Sequence, residues 1–270
     1  MIELTGFDQG EGLRQTAAGD GPQLLCVVQH GDREAELGVM WQICTAIHRL
    51  GYPLGMLDAT ERENGDNPGL QGLLNHGYRP QTAGNPAWPI FPAARGLRQL
   101  TRPWAGHATA DAGQATASRT LQRLFADLGA LVIYADADTL VDVMPLAHAR
   151  PVLALSPEMP SLLSTYRSLK QLSSLGALRN ATVVTVEAPN STPQLARSVV
   201  KSLQNCTMKY LQCTLSHFDI STPSETDKPS DVMRRLVMQM LDHSAADPYA
   251  LSGHPSGQSR SGAMPMSWSH

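Results

Sequence analysis

Short, unbroken apolar runs alternate along this chain with segments whose apolar residues return at helical spacing. The runs are Leu24-Leu25-Cys26-Val27-Val28, Pro53 to Leu57, Leu131 to Tyr134 and Val152 to Leu155, and Thr182 to Val186 is predicted as another strand. A further strand is predicted over Met208 to Leu215 and a short one over Pro89 to Phe91. Apolar runs without polar alternation mark strands buried on both faces, as parallel sheets require. Between them, Val39 to Leu50 carries Ile43, Ala46, Ile47 and Leu50 at helical intervals, with Gly51 where a C-terminal cap belongs. Helices are also predicted over Leu70–Leu74, from a Ser118 cap to about Leu128, and over Ser161–Leu175, Pro193–Leu203 and Asp231–Leu241. Strands separated by helices pair in parallel through right-handed crossovers.

The expected fold is therefore a doubly wound, mainly parallel α/β sheet flanked by helices, covering residues 23–243. Residues 1–22 are polar and Gly-rich and read as a flexible arm. Residues 244–270, rich in Ser, Gly, Pro and His, read as a disordered tail. The remaining length is ample for one such domain, and 42% of the 270 residues are hydrophobic. Only 5% are aromatic, so aliphatic side chains must build the core.

The net charge of −3 argues against a broad electrostatic grip on nucleic acid. The four cysteines form no Cys-x-x-Cys pair and read as buried free thiols of a reducing compartment. Nine histidines are scattered without metal-ligand spacing, so no metal site is expected. No signal peptide or membrane-length apolar run is visible, and a cytoplasmic protein is expected. The last helix carries Val232, Met233, Leu236, Val237, Met240 and Leu241 on one face; core packing is preferred there over membrane contact.

In a doubly wound fold the loop after the first strand is the usual phosphate site. A working phosphate loop adds close-packing glycines, a Lys for the phosphates and a Ser/Thr hydroxyl for Mg²⁺. Here the loop reads His30-Gly31-Asp32-Arg33-Glu34-Ala35-Glu36-Leu37-Gly38. One like-charge pair at ~4 Å and an effective dielectric of 20 costs about 4 kcal/mol. That is half of a micromolar binding energy of about 8 kcal/mol. The acidic loop thus predicts loss of ATP and Mg²⁺ binding, and no cofactor.

The stretch from the first strand to Asp58 resembles the start of the MinD/ParA-type P-loop ATPases. In that register Gly31 stands for the family's signature Lys, Glu36 for the P-loop Lys and Leu37 for the Mg²⁺-binding Thr. Leu57-Asp58-Ala59-Thr60 resembles the strand-two motif Asp-x-Asp, with Thr60 in place of the water-orienting acid. Leu131-Val132-Ile133-Tyr134-Ala135-Asp136 resembles the strand leading to the Walker B Asp. That Asp is either shifted to Asp136 or replaced by Ala135. Leu155-Ser156-Pro157-Glu158-Met159-Pro160-Ser161, with Tyr166 and Lys170, resembles a Pro-Glu-x-x-Ser…Tyr…Lys segment of the MinD-like branch. The resemblance implies a degenerate nucleotide site at Gly31, Glu36, Leu37, Asp58, Thr60 and Asp136, and a pseudo-ATPase with no catalytic residue.

Ahead of the fold, Phe7-Asp8-Gln9-Gly10-Glu11-Gly12-Leu13-Arg14 resembles the Asp-Gln-Ala-x-x-Leu-Arg arm of the flagellar-number regulators (FlhG, also called FleN). In that subfamily the arm docks on the FlhF-type GTPase and stimulates GTP hydrolysis. The resemblance implies partner contacts by Asp8, Gln9 and Arg14, with Leu13 as anchor. It implies a regulator of flagellum number and placement, at a cell pole or elsewhere in the cytoplasm, with flagellar assembly or regulatory proteins as partners. The alternatives are a pseudo-ATPase of cellulose secretion or polar positioning, an ATPase with an unusual site, and a nucleic-acid-binding ParA relative.

Overall fold

The computed structural model describes residues 21–77, 87–101, 110–144, 149–176, 178–186, 193–220 and 230–244. Among them are seven strands: β1 (Gln23–Val28), β2 (Leu54–Asp58), β3 (Ile90–Pro92), β4 (Ala130–Ala135), β5 (Val152–Leu155), β6 (Asn180–Val186) and β7 (Thr214–Ile220). The helices are α1 (Arg33–Arg49), α2 (Gly69–His76), α3 (Ala94–Thr101), α4 (Ala110–Leu124), α5 (Ala137–Val143), α6 (Met159–Gly176), α7 (Pro193–Leu211) and α8 (Asp231–Ser244).

The strands form one sheet in the order β3-β2-β4-β1-β5-β6-β7. Every pairing is parallel. From β1 the chain passes to β2 and the β3 edge, returns to β4 between β2 and β1, and then crosses to β5 and continues to β7. The switch point therefore lies beside β1, where neighbouring connections leave on opposite faces and open a crevice at the strands' C-terminal ends.

Period-two alternation splits the strands between two apolar layers. Leu25 and Val27 of β1 join α1 and α8 in one layer. Leu24, Cys26 and Val28 face the other layer, which holds Leu70 and Leu73 of α2, Leu97 of α3, Leu121 of α4, and Leu169 and Leu172 of α6. Met233, Leu236, Val237, Met240 and Leu241 of α8 are buried against the α1 side, so the apolar face of this helix packs the core as expected. No described helix is long and apolar enough to cross a membrane.

Several expectations need correction. The strand predicted over Met208–Leu215 is two elements: α7 continues through Leu211, and β7 begins at Thr214. Met208 and Tyr210 are 53% and 64% exposed on the helix. Gln212 takes a φ of 52° at the helix end, a left-handed turn that glycine more often supplies. Ser118 caps nothing. It lies inside α4, and its hydroxyl donates to the carbonyl of Val143 at 2.9 Å. Helices α3 and α5 were not anticipated, and α1 begins six residues before Val39. Cys26, Cys44 and Cys213 are buried, but Cys206 is exposed.

Candidate functional site

The loop between β1 and α1 lies at the switch point. Gln29 extends the β1–β4 pairing by donating its N–H to the carbonyl of Ala135 at 2.8 Å. The chain then turns through Gly31 at φ 105°, a conformation that side chains resist. The next three N–H groups converge: His30, Gly31 and Asp32 donate to one oxygen, Oε1 of Glu36, at 2.8, 2.8 and 3.0 Å. Consecutive amides aimed at one point form the concave nest that binds anions. Here the anion comes from the first turn of α1 itself.

Glu36 has no solvent exposure. Its second oxygen, Oε2, accepts from the hydroxyl of Tyr134 on β4. Burial first, then the hydrogen bond to Glu36 and the charges of Glu36 and Asp58, push the Tyr134 phenol well above its usual range, with Arg33 opposing slightly. The hydroxyl therefore remains a donor. His30 Nε2 donates to the carbonyl of Ala154 at 2.8 Å, while Nδ1 lies 3.1 Å from Ser164 Oγ and 3.5 Å from Glu36 Oε1.

Asp32 caps α1, accepting from the N–H of Ala35 at 3.4 Å. Its Oδ2 accepts from the hydroxyl of Ser156 at 2.7 Å. Partial burial raises the Asp32 pKa, but hydrogen bonds from Ser161, Ser156 and Ala35 outweigh it and hold the carboxyl below its usual value. Both His30 and Asp32 thus tie the loop to the end of β5 and the start of α6.

The structure brings the expected nucleotide-site residues to the C-terminal ends of β1, β2 and β4. Gly31 and Glu36 share one hydrogen-bonded cluster. Asp58 pairs in register with Tyr134. Its carboxylate accepts from the N–H and the hydroxyl of Thr60 at 2.8 and 2.6 Å, so these two residues close a local turn. Asp136, the first residue after β4, caps α5 by accepting from the N–H of Thr139 at 2.8 Å. Leu37 is 45% exposed. Asp8, Gln9, Leu13 and Arg14 lie outside the described residues.

Sequence reasoning missed the roles of Tyr134, His30, Asp32, Ser156 and Ser164. It also missed Glu63, which is 2% exposed and accepts from the N–H groups of Arg95 and Gly96 at 2.8 and 2.7 Å, satisfying the start of α3. The available signal was chemical: one phenol in an otherwise aliphatic strand.

Cobyrinic acid a,c-diamide synthase from Mycobacterium smegmatis, solved with ADP and magnesium, matches with a TM-score of 0.56 and 14% identity over 82% of this chain and 95% of that one. A protein from Borrelia burgdorferi B31 described as a plasmid partition protein, solved with AMPPNP, matches with a TM-score of 0.50 and 8% identity over 82% and 98%. The fold is the MinD/ParA-type P-loop fold. The MinC:MinD cell division complex of Aquifex aeolicus also matches, with a TM-score of 0.48 and 12% identity over 91% of this chain and 98% of that one. No protein-family model and no curated protein matches this sequence.

Proposed function

We propose that this chain is a non-catalytic regulator that has kept a P-loop fold, lost Mg-nucleotide binding and acts through contacts with other proteins. The observation that carries this reading is the buried Glu36 carboxylate held by the amides of His30, Gly31 and Asp32. Convergent backbone N–H groups of the β1–α1 loop are the kind of donor that a phosphate loop offers to its ligand. A phosphate entering here would meet a carboxylate rather than a lysine, with its amides already satisfied. An apolar Leu37 supplies no hydroxyl for a magnesium ion, and Asp58 and Asp136 are engaged in a turn and a helix cap. The residues present do not fit a magnesium–triphosphate group, and no chemical step is assigned to them.

Within this reading, the resemblance of the arm to that of the flagellar-number regulators supports a role in controlling flagellum number or placement. Gln9 and Arg14 carry the polar contacts to an FlhF-type GTPase, Asp8 flanks them and Leu13 anchors them. Gln can orient a water or meet a phosphate oxygen, and Arg offers a rigid fork of donors.

Two measurements test the two levels. Titration calorimetry of the full chain with Mg-ATP is expected to give no saturable heat, and micromolar binding would remove the pseudo-ATPase reading. A GTPase assay with an FlhF-type protein and a peptide of residues 1–20 is expected to show stimulation that Gln9→Ala abolishes. Absence of stimulation by the unaltered peptide removes the flagellar role and leaves the general one.

A further inference from the structure

We propose that Glu36 is a tethered substitute for a bound phosphate: its carboxylate holds residues 29–32 permanently in an anion-cradling shape, with no diffusible ligand required. This rests on the reading above that nucleotide binding is lost.

Three features of the geometry carry the inference. The first is convergence. Three successive N–H groups reach a single oxygen at 2.8–3.0 Å. A carboxylate oxygen and a phosphate oxygen are interchangeable to such a nest, since both are anionic and acceptor-only. The second is tethering. Glu36 follows Asp32 by four residues, and its own N–H donates to the Asp32 carbonyl at 2.9 Å. An acceptor fixed on the first helical turn is always present at high effective concentration, whereas a free ligand must be recruited.

The third is closure. Tyr134 covers the other oxygen and the side chain is fully buried. His30 fixes the far side of the loop through the Ala154 carbonyl and Ser164. Withdrawing the carboxylate would strand three backbone donors and a phenol away from water. The loop therefore has one favourable arrangement. In nucleotide switches a terminal phosphate orders such segments and its departure releases them. Here the ordering group cannot depart. Any surface built on the loop and the adjoining exposed Arg33, Glu34 and Leu37 is presented in one state.

Amide-resolved hydrogen exchange on the full chain tests this. In the unaltered protein the Gly31 and Asp32 amides are expected to exchange slowly, with no change on adding millimolar pyrophosphate. In Glu36→Ala they are expected to exchange about tenfold faster or more. Millimolar pyrophosphate is then expected to restore most of the protection, because the vacated nest accepts a free anion. Equal protection in Glu36→Ala without any anion overturns the proposal, and so does faster exchange that pyrophosphate leaves unchanged. If Glu36→Ala does not fold, Glu36→Gln provides the measurement. This uncharged isostere is expected to loosen the same amides to a lesser degree, and protection equal to that of glutamate overturns the proposal. The exchange result is independent of the calorimetric one: Mg-ATP binding to the unaltered chain removes the pseudo-ATPase reading, whereas these outcomes concern only what holds the loop.

Discussion

The hydroxyl of Tyr134 donates to Oε2 of Glu36 across 98 residues of sequence, joining the end of β4 to the first turn of α1 beneath the β1–α1 loop. The bond joins β4, a sheet neighbour of β1, to the helix that follows β1. A buried carboxylate keeps its charge at tolerable cost only when its oxygens are fully hydrogen-bonded. Tyr134 supplies a donor to this carboxylate from a strand distant in sequence.

Tyr134→Phe removes that donor with little change in shape. A hydrogen bond to a charged group contributes about 1.5–3 kcal/mol, and the loss is expected to fall in that range because water cannot replace it. Urea denaturation at neutral pH measures it, with the midpoint lowered and the slope unchanged. A loss below about 0.5 kcal/mol, typical of surface substitutions, would mean that Glu36 does not depend on the phenol.

Leu37→Thr restores the hydroxyl that a magnesium site needs and leaves Glu36 in place. Leu37 is 45% exposed, so the stability change is expected to stay within about 0.5 kcal/mol. No Mg-ATP binding is expected to appear, since the amides remain occupied. Calorimetry with Mg-ATP decides the point; saturable binding in this variant would make the missing hydroxyl, rather than Glu36, the cause of the lost site.

The sheet was legible because its signal is local. Short apolar runs at β1, β2, β4 and β5, bounded by loop residues, fit two-sided strands, and alternation with helices leaves parallel winding as the consistent topology. The site was less legible. The start of α1 inverts the usual pattern, with Glu36 buried and Leu37 exposed, so hydrophobic periodicity first becomes visible at Val39. Sequence reasoning accordingly placed Glu36 in a loop as a bare repelling charge. Folding it back onto the amides converts it into a satisfied internal anion. The Tyr134 contact depends on β1–β4 adjacency, a long-range pairing that no local pattern encodes. The predicted strand over Met208–Leu215 ran the end of α7 into β7, because exposed Met208 and Tyr210 leave no apolar stripe to mark the last helical turn.

Ser156→Ala is expected to weaken the tie between the loop and β5 in a pH-dependent way. The folded Asp32 carboxyl titrates below its usual value of 3.8, so its stabilisation is present above the unfolded pKa and is lost as pH falls through the folded one. Removing the Ser156 hydroxyl, 2.7 Å from Oδ2, moves the folded pKa back toward 3.8. The variant is expected to be less stable by about 1–2 kcal/mol at pH 7. The deficit should shrink as Asp32 becomes protonated in both proteins at strongly acid pH. Denaturation curves from neutral to acid pH measure this; a deficit constant with pH would assign the effect to packing rather than to the Asp32 charge.

Glu63 repeats the Glu36 device at a second helix. It is 2% exposed, and each of its oxygens accepts one backbone N–H, from Arg95 and from Gly96, at the start of α3. The chain is pinned around it. Gly69 takes φ 48°, and a Cβ there would lie 2.1 Å from the Pro92 carbonyl oxygen and 3.0 Å from Glu63 Cγ. Glu63→Gln keeps the volume but presents an NH₂ to one of the two amides, so a donor faces a donor in a buried site. An unsatisfied buried group costs about 1–3 kcal/mol, and the loss of the charge-assisted bond adds to it. Glu63→Gln is therefore expected to destabilise by at least about 1.5 kcal/mol, despite being nearly isosteric. Urea denaturation decides it. A near-neutral result would show that the two amides can share the one remaining oxygen, and that shape rather than charge closes the start of α3.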